Sequence, residues 1–421
     1  MPCGDADFGA AASYWKRVPT IHVDGDALIR DLDALARIGG LPGGGVSRVA
    51  FSAADMEGRV WVDGQMRALG MRVARDAAGN SIGVYDGTAA GGPPIALGSH
   101  TDTVPEGGRY DGALGVLGAL ACVRALRDAG RRLRHAIEVI NFTAEEATMA
   151  GGTLGSRAMA GLLDAAALGA PAWDGRPVAA HLEAAGLDPA AMPRAARAAG
   201  SVAAFLELHV EQGGTLEAAG LPIGAVEGIV GIRRYAVTFC GRANHAGTTP
   251  MALREDALVA AAPFVLAVRD LAAARGIVGT IGNLRVHPGA PNVIPGRVDV
   301  DLEIRALEEA LLDAAERDIT AAAGARATVR RVSGKAPVKL DAGLVRTLEQ
   351  ACHDLDLRCR RMSSGAGHDT MCIASIAPAA MVFVPSRGGI SHSPAEFTDP
   401  ESCIAGADVL LTALLKVDAV P

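Results

Sequence analysis

Aromatic residues are scarce: Phe, Tyr and Trp make up 4% of the 421 residues, although half of the chain is hydrophobic. A large core must therefore be filled by aliphatic side chains, with Ala and Gly letting helices approach closely. No uninterrupted apolar run reaches about 18 residues, which argues against a membrane span. The longest candidate, Gly112 to Leu126, is broken by Arg124. The opening Met1-Pro2-Cys3-Gly4-Asp5 lacks the basic-then-apolar pattern of a secretion signal. The seven cysteines (Cys3, Cys122, Cys240, Cys352, Cys359, Cys372 and Cys403) are odd in number, scattered, and form no Cys-x-x-Cys pair. That argues against a cysteine-rich metal site and for free thiols in a reducing, cytoplasmic setting. Basic stripes are also missing. With a formal net charge of −7 and both signs mixed, nucleic acid is not an expected partner.

The length suggests two or three domains at roughly 100–200 residues each. Helical periodicity runs over Asp24 to Ile38 and Ser52 to Leu69, each closed by Gly. Strand-like and helical runs then alternate. Pro94 to Gly98 is a short apolar run, Ala113 to Ala129 a helix, Ala136 to Phe142 a buried strand, and Phe205 to His209 another. The alternation predicts an α/β fold, with a mixed, largely parallel sheet flanked by helices. From about residue 223 the pattern becomes strand (Tyr235 to Cys240), helix (Asp256 to Ala274), strand (Val298 to Ile304) and helix (Glu308 to Ala323). The first pattern resumes after Ser333-Gly334-Lys335-Ala336-Pro337. The expected organisation is a catalytic domain from residues 1–222 and 335–421, interrupted by an α+β lid or dimerisation domain over 223–334.

Four segments carry chemistry, and each has a bland alternative. Gly98-Ser99-His100-Thr101-Asp102 leads to Tyr110-Asp111-Gly112. His100 offers imidazole nitrogen and Asp111 carboxylate oxygen, the donors a borderline dication takes. Asp102, two residues past His100, shares its face in extended backbone and is placed to orient a ligand or a base. Blandly, Asp111 is a helix N-cap and His100 a loop residue. Asn141 to Glu146 ends an apolar strand on two adjacent acids. Binding a metal through Glu146 relieves their repulsion and leaves Glu145 to take a proton from the attacking water; blandly they form a solvated turn. Glu207-Leu208-His209-Val210-Glu211 puts one His among apolar neighbours, where a satisfied core histidine is commoner than a ligand. Gly388 to Glu396 is a Gly-rich loop holding His392. Taken together, His100, Asp111, Glu146, His209 and His392 make a ligand set for two metals, with Asp111 as bridge.

In this order the motifs resemble the M20 metallopeptidase clan, and more narrowly its amidase branch of N-carbamoyl-L-amino acid hydrolases, β-ureidopropionases and allantoate amidohydrolases. The resemblance extends from about Ser52 to Ala407 and includes Glu-Gln-Gly after His209, Asn244-His245-Ala246-Gly247-Thr248-Thr249-Pro250-Met251, and Ser364-Gly365-Ala366-Gly367-His368-Asp369. It implies one divalent ion on His100, Asp111 and His209 and a second on Asp111, Glu146 and His392. Zinc is expected first, with manganese, cobalt or nickel as alternatives. It further implies Glu145 as general base, His245 as oxyanion stabiliser, sometimes across a homodimer formed by the inserted domain, and Asn292 and Arg305 as holders of a substrate carboxylate. Gln212, Ile232, Gly367 and His368 are further substrate-contact candidates.

Two departures bear on the substrate. Ala147-Thr148-Met149-Ala150 stands where many relatives carry an Arg-Phe pair after Glu-Glu. Ile232 stands where allantoate-acting members carry Gln, and a pocket without that amide leaves a second ureido group unpaired. The expected reaction is hydrolysis of an N-carbamoyl amino acid or related linear amide. A dipeptidase or aminoacylase of the same clan is the nearer alternative, and allantoate is placed below both. A binding protein that has lost catalysis would lack a ligand or the base, and a cysteine-nucleophile carbamoylase would ignore chelators. Substrate choice is expected to rest on the pocket around Met149, Ile232 and Arg305.

Overall fold

The computed structural model describes residues 21–89 and 91–419. Cys3 and the opening residues read above lie outside them. Helix α1 (Gly25–Arg37) starts at Asp24, whose carboxylate accepts from the Ala27 amide, and buries Leu28, Leu32 and Leu35. Helix α2 (Ala53–Ala68) is capped in the same way by Ser52. A hairpin follows, β1 (Arg72–Arg75) and β2 (Ser81–Tyr85), then β3 (Ile95–His100), α3 (Ala113–Asp128), β4 (Ile137–Phe142) and β5 (Ala204–Val210). Strand β6 (Ile223–Ile229) precedes a run of β7 (Gly231–Cys240), α4 (Ala257–Arg275), β8 (Val278–His287), β9 (Arg297–Ala306), α5 (Glu309–Ala323) and β10 (Ala327–Lys335). The chain closes with β11 (Val338–Lys339), α6 (Ala342–Asp354), β12 (Cys359–Ser364), α7 (Asp369–Ile373), β13 (Ala379–Val384) and α8 (Pro400–Ala419).

The large sheet has the order β1-β2-β4-β3-β5-β13-β6-β11, with β12 also pairing β6. Its centre, β4-β3-β5-β13, is parallel, and antiparallel strands finish both sides. Every residue of β3, β5 and β13 is buried. Successive side chains point to opposite faces, so both faces of this centre are covered, as expected of a parallel sheet. Helix α3 is buried almost all round, and its Gly118 lets it sit against Leu208 of β5.

The second sheet, β10-β7-β9-β8, is antiparallel throughout. It has its own core, in which Tyr235, Val237, Phe239, Val300 and Leu302 meet Phe264, Leu312 and Ile319 of the two helices. The alternate residues, including Ile232, Arg234, Glu303 and Arg305, take the face away from that core. This matches the expected mixed α/β architecture with an α+β insertion. Strand β6, however, is hydrogen-bonded to β13, so the large sheet continues past residue 222, where the break was expected, to Ile229. A near-continuous apolar strand leading straight into another gives no composition signal at that switch. Helix α4 is the one helix among the described residues long and apolar enough to cross a membrane. It instead buries Ala257, Ala261, Phe264, Val268 and Ala272 on the second sheet.

Candidate metal centre and active site

Ligands in open α/β sheets collect beyond the carboxyl ends of parallel strands. Here His100 is the last residue of β3, Glu145 and Glu146 follow β4, His209 is next to last in β5, and the loop after β13 carries His392. Asp111 comes from the turn before α3. The N-cap of that helix is Gly112, with no side-chain capping bond, so Asp111 is not spent as a cap. Its Oδ1 lies 3.6 Å from His100 Nε2 and 3.2 Å from His209 Nε2, and its Oδ2 lies 3.2 Å from His392 Nε2. Glu146 Oε1 is 3.5 Å from the same His392 nitrogen. Two donor groups, His100–Asp111–His209 and Asp111–Glu146–His392, thus share one carboxylate, one oxygen to each.

The tautomers follow from the surroundings. His100 Nδ1 is 3.0 Å from the Asp102 carbonyl and His209 Nδ1 is 2.9 Å from the Val210 carbonyl. A carbonyl only accepts, so both Nδ1 atoms carry hydrogen and both Nε2 atoms are turned toward Asp111. Gly112 makes room for this: a Cβ there would stand 2.4 Å from the His100 ring, and its φ is +64°. Asp102 supports the acidic pair with its carboxylate, as it supports His100 with its carbonyl. Its two oxygens accept from the Glu145 and Glu146 amides at 3.1 Å each, fixing the turn in which Ala144 has φ +51°.

The charges are balanced by protons. Burial would lower the His100 imidazole, but Glu145, Asp111 and Asp102 hold its pKa well above the ordinary value. Burial would raise Asp111, but His100, His209 and His392 hold it well below. Burial, with neighbouring Asp369, Glu146 and Asp102, pushes Glu145 well up, opposed by His100. Burial and Asp111 raise Glu146 to about 7. The Asp111 bond lifts His392 to about 9. Nitrogen and oxygen donors converging on a shared carboxylate, with imidazoles protonated to neutralise it, fit divalent cations that would take over that positive charge. Glu207, His209 and His368 also approach one another. There, Ser99 and Thr370 occupy both Glu207 oxygens, and His368 Nε2 meets Ser364 Oγ at 2.8 Å, so the group reads as a hydrogen-bonded support.

A cavity of about 430 Å³ opens onto Asp111, Glu145, Glu146, His209 and His392. Of the expected substrate contacts, Gln212, Ile232, Gly367 and His368 line it, and Gln212 Nε2 donates to Asp111 Oδ2 at 2.7 Å. Three others lie elsewhere. Arg305 faces a neighbouring cavity, with Nη1 on the Gly365 carbonyl at 2.6 Å and Nε on Glu303 at 2.6 Å. His245 and Asn292 sit side by side on the inserted domain, joined through the Ala246 amide and the Asn292 carbonyl, and both are exposed. Met149 is also outside the pocket; it is buried in a separate core with Ala50, Leu154 and Val178, and Ala147, Gly151 and Gly152 line the cavity beside Glu146.

Sequence reasoning missed three participants. Glu396 accepts from the Tyr110 and Asp111 amides through Oε1 and from Ser391 Oγ through Oε2, tying the Asp111 turn to the His392 loop. Its place in the Ser-His-Ser-Pro-x-Glu motif was the available signal. Arg234 and Lys335 line the cavity from the inserted sheet. Neither carries a local signal in the sequence, and strand register brings them to the site.

Peptidase family M20/M25/M40 matches residues 96–416. The N-carbamoyl-L-amino acid amidohydrolase of Geobacillus stearothermophilus is 41% identical over 397 residues, covering 92% of this chain and 97% of that protein. The ureidoglycolate hydrolase of Oryza sativa subsp. japonica is 35% identical over 430 residues, 98% of this chain and 88% of that one. A hydantoinase/carbamoylase family amidase from Burkholderia multivorans superposes with a TM-score of 0.88 at 37% identity, over 96% of this chain and all of that one. A shared-carboxylate donor set at the ends of four parallel strands and similarity over nearly the whole length agree: the chain belongs to peptidase family M20/M25/M40 and is a hydrolase of its amidohydrolase group.

Proposed function

We propose that this protein hydrolyses N-carbamoyl-L-amino acids, with two divalent ions per subunit. The observation that carries this reading is the Asp111 carboxylate shared by two donor groups, with Glu145 beside them at 3.6 Å from His100 Nε2. His100, Asp111 and His209 would hold one ion, and Asp111, Glu146 and His392 the other, with zinc first and manganese, cobalt or nickel as alternatives. Such a pair, when bound, polarises the scissile carbonyl and lets water ionise near neutral pH. Glu145 takes the proton of the attacking water and passes it to the leaving nitrogen. Asp102 keeps Glu145 in place through its backbone. Arg305 and Asn292 receive the substrate carboxylate, with the planar guanidinium suited to a two-oxygen contact. With a ureido substrate, one water yields the amino acid, carbon dioxide and ammonia.

Several observations support the rest of the expected arrangement. Leu258, Val259 and Leu266 are exposed along α4, and Val278 and Leu284 along β8, the edge strand that pairs only with β9 among the described residues. An apolar helix face beside an open strand edge suits a second copy of the same surface, and a homodimer formed there would bring exposed His245 within reach of the partner's substrate. The six described cysteines are free, in keeping with a cytoplasmic setting. We place the inserted domain between Val230 and Lys335, with the remainder as one catalytic domain.

The test is a panel of N-carbamoyl and N-acyl amino acids, with ureidoglycolate and allantoate, offered to metal-stripped and reconstituted protein. Turnover of N-carbamoyl substrates only after reconstitution is expected. Turnover of N-acyl but no ureido compounds would move the reading to an aminoacylase or dipeptidase.

A further inference from the structure

The inserted sheet carries a row of three side chains, of which Ile232 and Lys335 line the active-site cavity and Arg305 faces the cavity next to it. Ile232 of β7 lines the cavity, and its register partners are Arg305 on β9 and Lys335 on β10. Directly opposed residues in antiparallel strands share a face. A cation therefore flanks Ile232 on each side, and two strand spacings, roughly 10 Å, separate the two backbones.

The two cations are not equivalent. Arg305 is held by Glu303 and the Gly365 carbonyl, and Arg234, the other cation lining the cavity, is held by Glu303 at 2.6 Å. Lys335 has no carboxylate partner among the described residues, lines the cavity beside Ser333 and Gly334, and is exposed to it. The opposite wall carries Asp111, Glu145 and Glu146. Of the two basic side chains that reach the cavity from the lid side, Arg234 is matched by Glu303, and Lys335 offers a charge that no carboxylate among the described residues matches.

We propose that Lys335 is a specificity residue that selects substrates bearing a second negative charge on the side chain: N-carbamoyl derivatives of dicarboxylic amino acids. This rests on the ureido-hydrolase reading above. Arg305 serves the α-carboxylate on one flank of Ile232, and Lys335 serves the side-chain carboxylate on the other. The span between them fits two carboxylates of one molecule.

N-carbamoyl-L-glutamate and N-carbamoyl-L-glutamine differ in charge at nearly constant shape, so the ratio of their kcat/KM values is the measurement. The wild-type protein, reconstituted with metal, should favour the glutamate derivative. Lys335→Gln should lower that ratio about tenfold, through KM, as expected for one lost charge-assisted contact, and Lys335→Arg should keep it. Lys335 is at an exposed strand end, and a thermal melt establishes that both variants are folded. A wild-type preference for the neutral derivative, or an unchanged ratio in Lys335→Gln, overturns the assignment while leaving the ureido-hydrolase reading standing. If neither compound is turned over and other ureido substrates are not either, both readings fall together.

Discussion

Replacing Gly112 with alanine should disable the metal centre without touching a ligand. Gly112 has φ +64° and ψ −46°, outside both helical basins, and a non-glycine residue held there costs about 1–3 kcal/mol. The steric effect is more specific. The new Cβ would stand 2.4 Å from both Cε1 and Nε2 of His100. Ordinary carbon contacts lie near 3.5–4.0 Å, so the ring has to retreat by roughly 1 Å. It has nowhere easy to go, because His100 is 1% exposed and its Nδ1 is tied to the Asp102 carbonyl. A displacement of about 1 Å at a reacting centre can cost about 10²-fold in rate. Gly112→Ala should therefore lower kcat/KM about a hundredfold and weaken binding of the ion that His100, Asp111 and His209 would hold, read by titrating stripped protein with metal and assaying in parallel. Gly64→Ala is the control: that residue is inside α2, its Cβ would meet nothing within 4 Å, and the change should stabilise the protein by about 0.5–1 kcal/mol with activity intact. A Gly112→Ala protein with wild-type metal affinity and turnover would refute the placement of His100 against Asp111.

Four further outcomes follow from the same geometry. Glu145→Gln should reduce kcat by about 10²–10⁴-fold while metal content, measured by elemental analysis, stays at the wild-type level; near-normal turnover would remove Glu145 as the base. Because Asp111 holds His392 up at about 9, metal binding at that imidazole should expel a proton. Affinity should therefore rise as pH increases toward that value and fall below it, and calorimetry in buffers of different ionisation enthalpy should register proton release. Leu266→Asp, on the exposed face of α4, should convert a dimer to monomer in sedimentation. If His245 works across the dimer, exchanging subunits of Glu145→Gln and His245→Ala should recover about a quarter of wild-type activity, since half of the dimers are mixed and each has one intact site. No recovery on mixing would place His245 within its own subunit.

The metal side of the site was readable because it obeys local rules. Apolar runs that end in His100, Glu145–Glu146 and His209 are strand ends, and strand ends of a parallel sheet face one place. Donor chemistry then picked out one or two residues from each run, and the structure brings these together around Asp111. The lid side was not readable in this way. Ile232, Arg305 and Lys335 are far apart in sequence and become neighbours only through the registers of β7 with β9 and β10, the latter shifted by an irregularity between Arg331 and Ser333. Met149 was misplaced for a related reason: it follows the acidic pair in sequence, but the turn through Gly151 and Gly152 carries it into a separate core. The switch from β6 to β7 is equally silent, since one apolar strand runs into the next with only Val230 between them.

This difference in legibility also describes how the molecule divides its labour. Apart from the exposed His392, the residues on the metal side are fixed by more than their own side chains. Asp102 holds the backbone of both glutamates, Glu396 holds the backbone before and at Asp111, and the His100 and His209 rings are pinned through Nδ1. A substitution there disturbs several buried hydrogen bonds at once, and each unsatisfied group costs about 1–3 kcal/mol. Lid-side residues have fewer obligations. Lys335 and Arg234 are exposed at the end of a sheet whose core is on its other face, and surface substitutions of that kind usually fall within about ±0.5 kcal/mol. Changes at the lid therefore alter what charge and shape the cavity accepts at almost no expense in stability, while the hydrolytic machinery stays fixed. On this argument, the substrate difference between this chain and a relative with the same metal ligands is to be sought first at positions 232, 234 and 335, before any position on the parallel sheet.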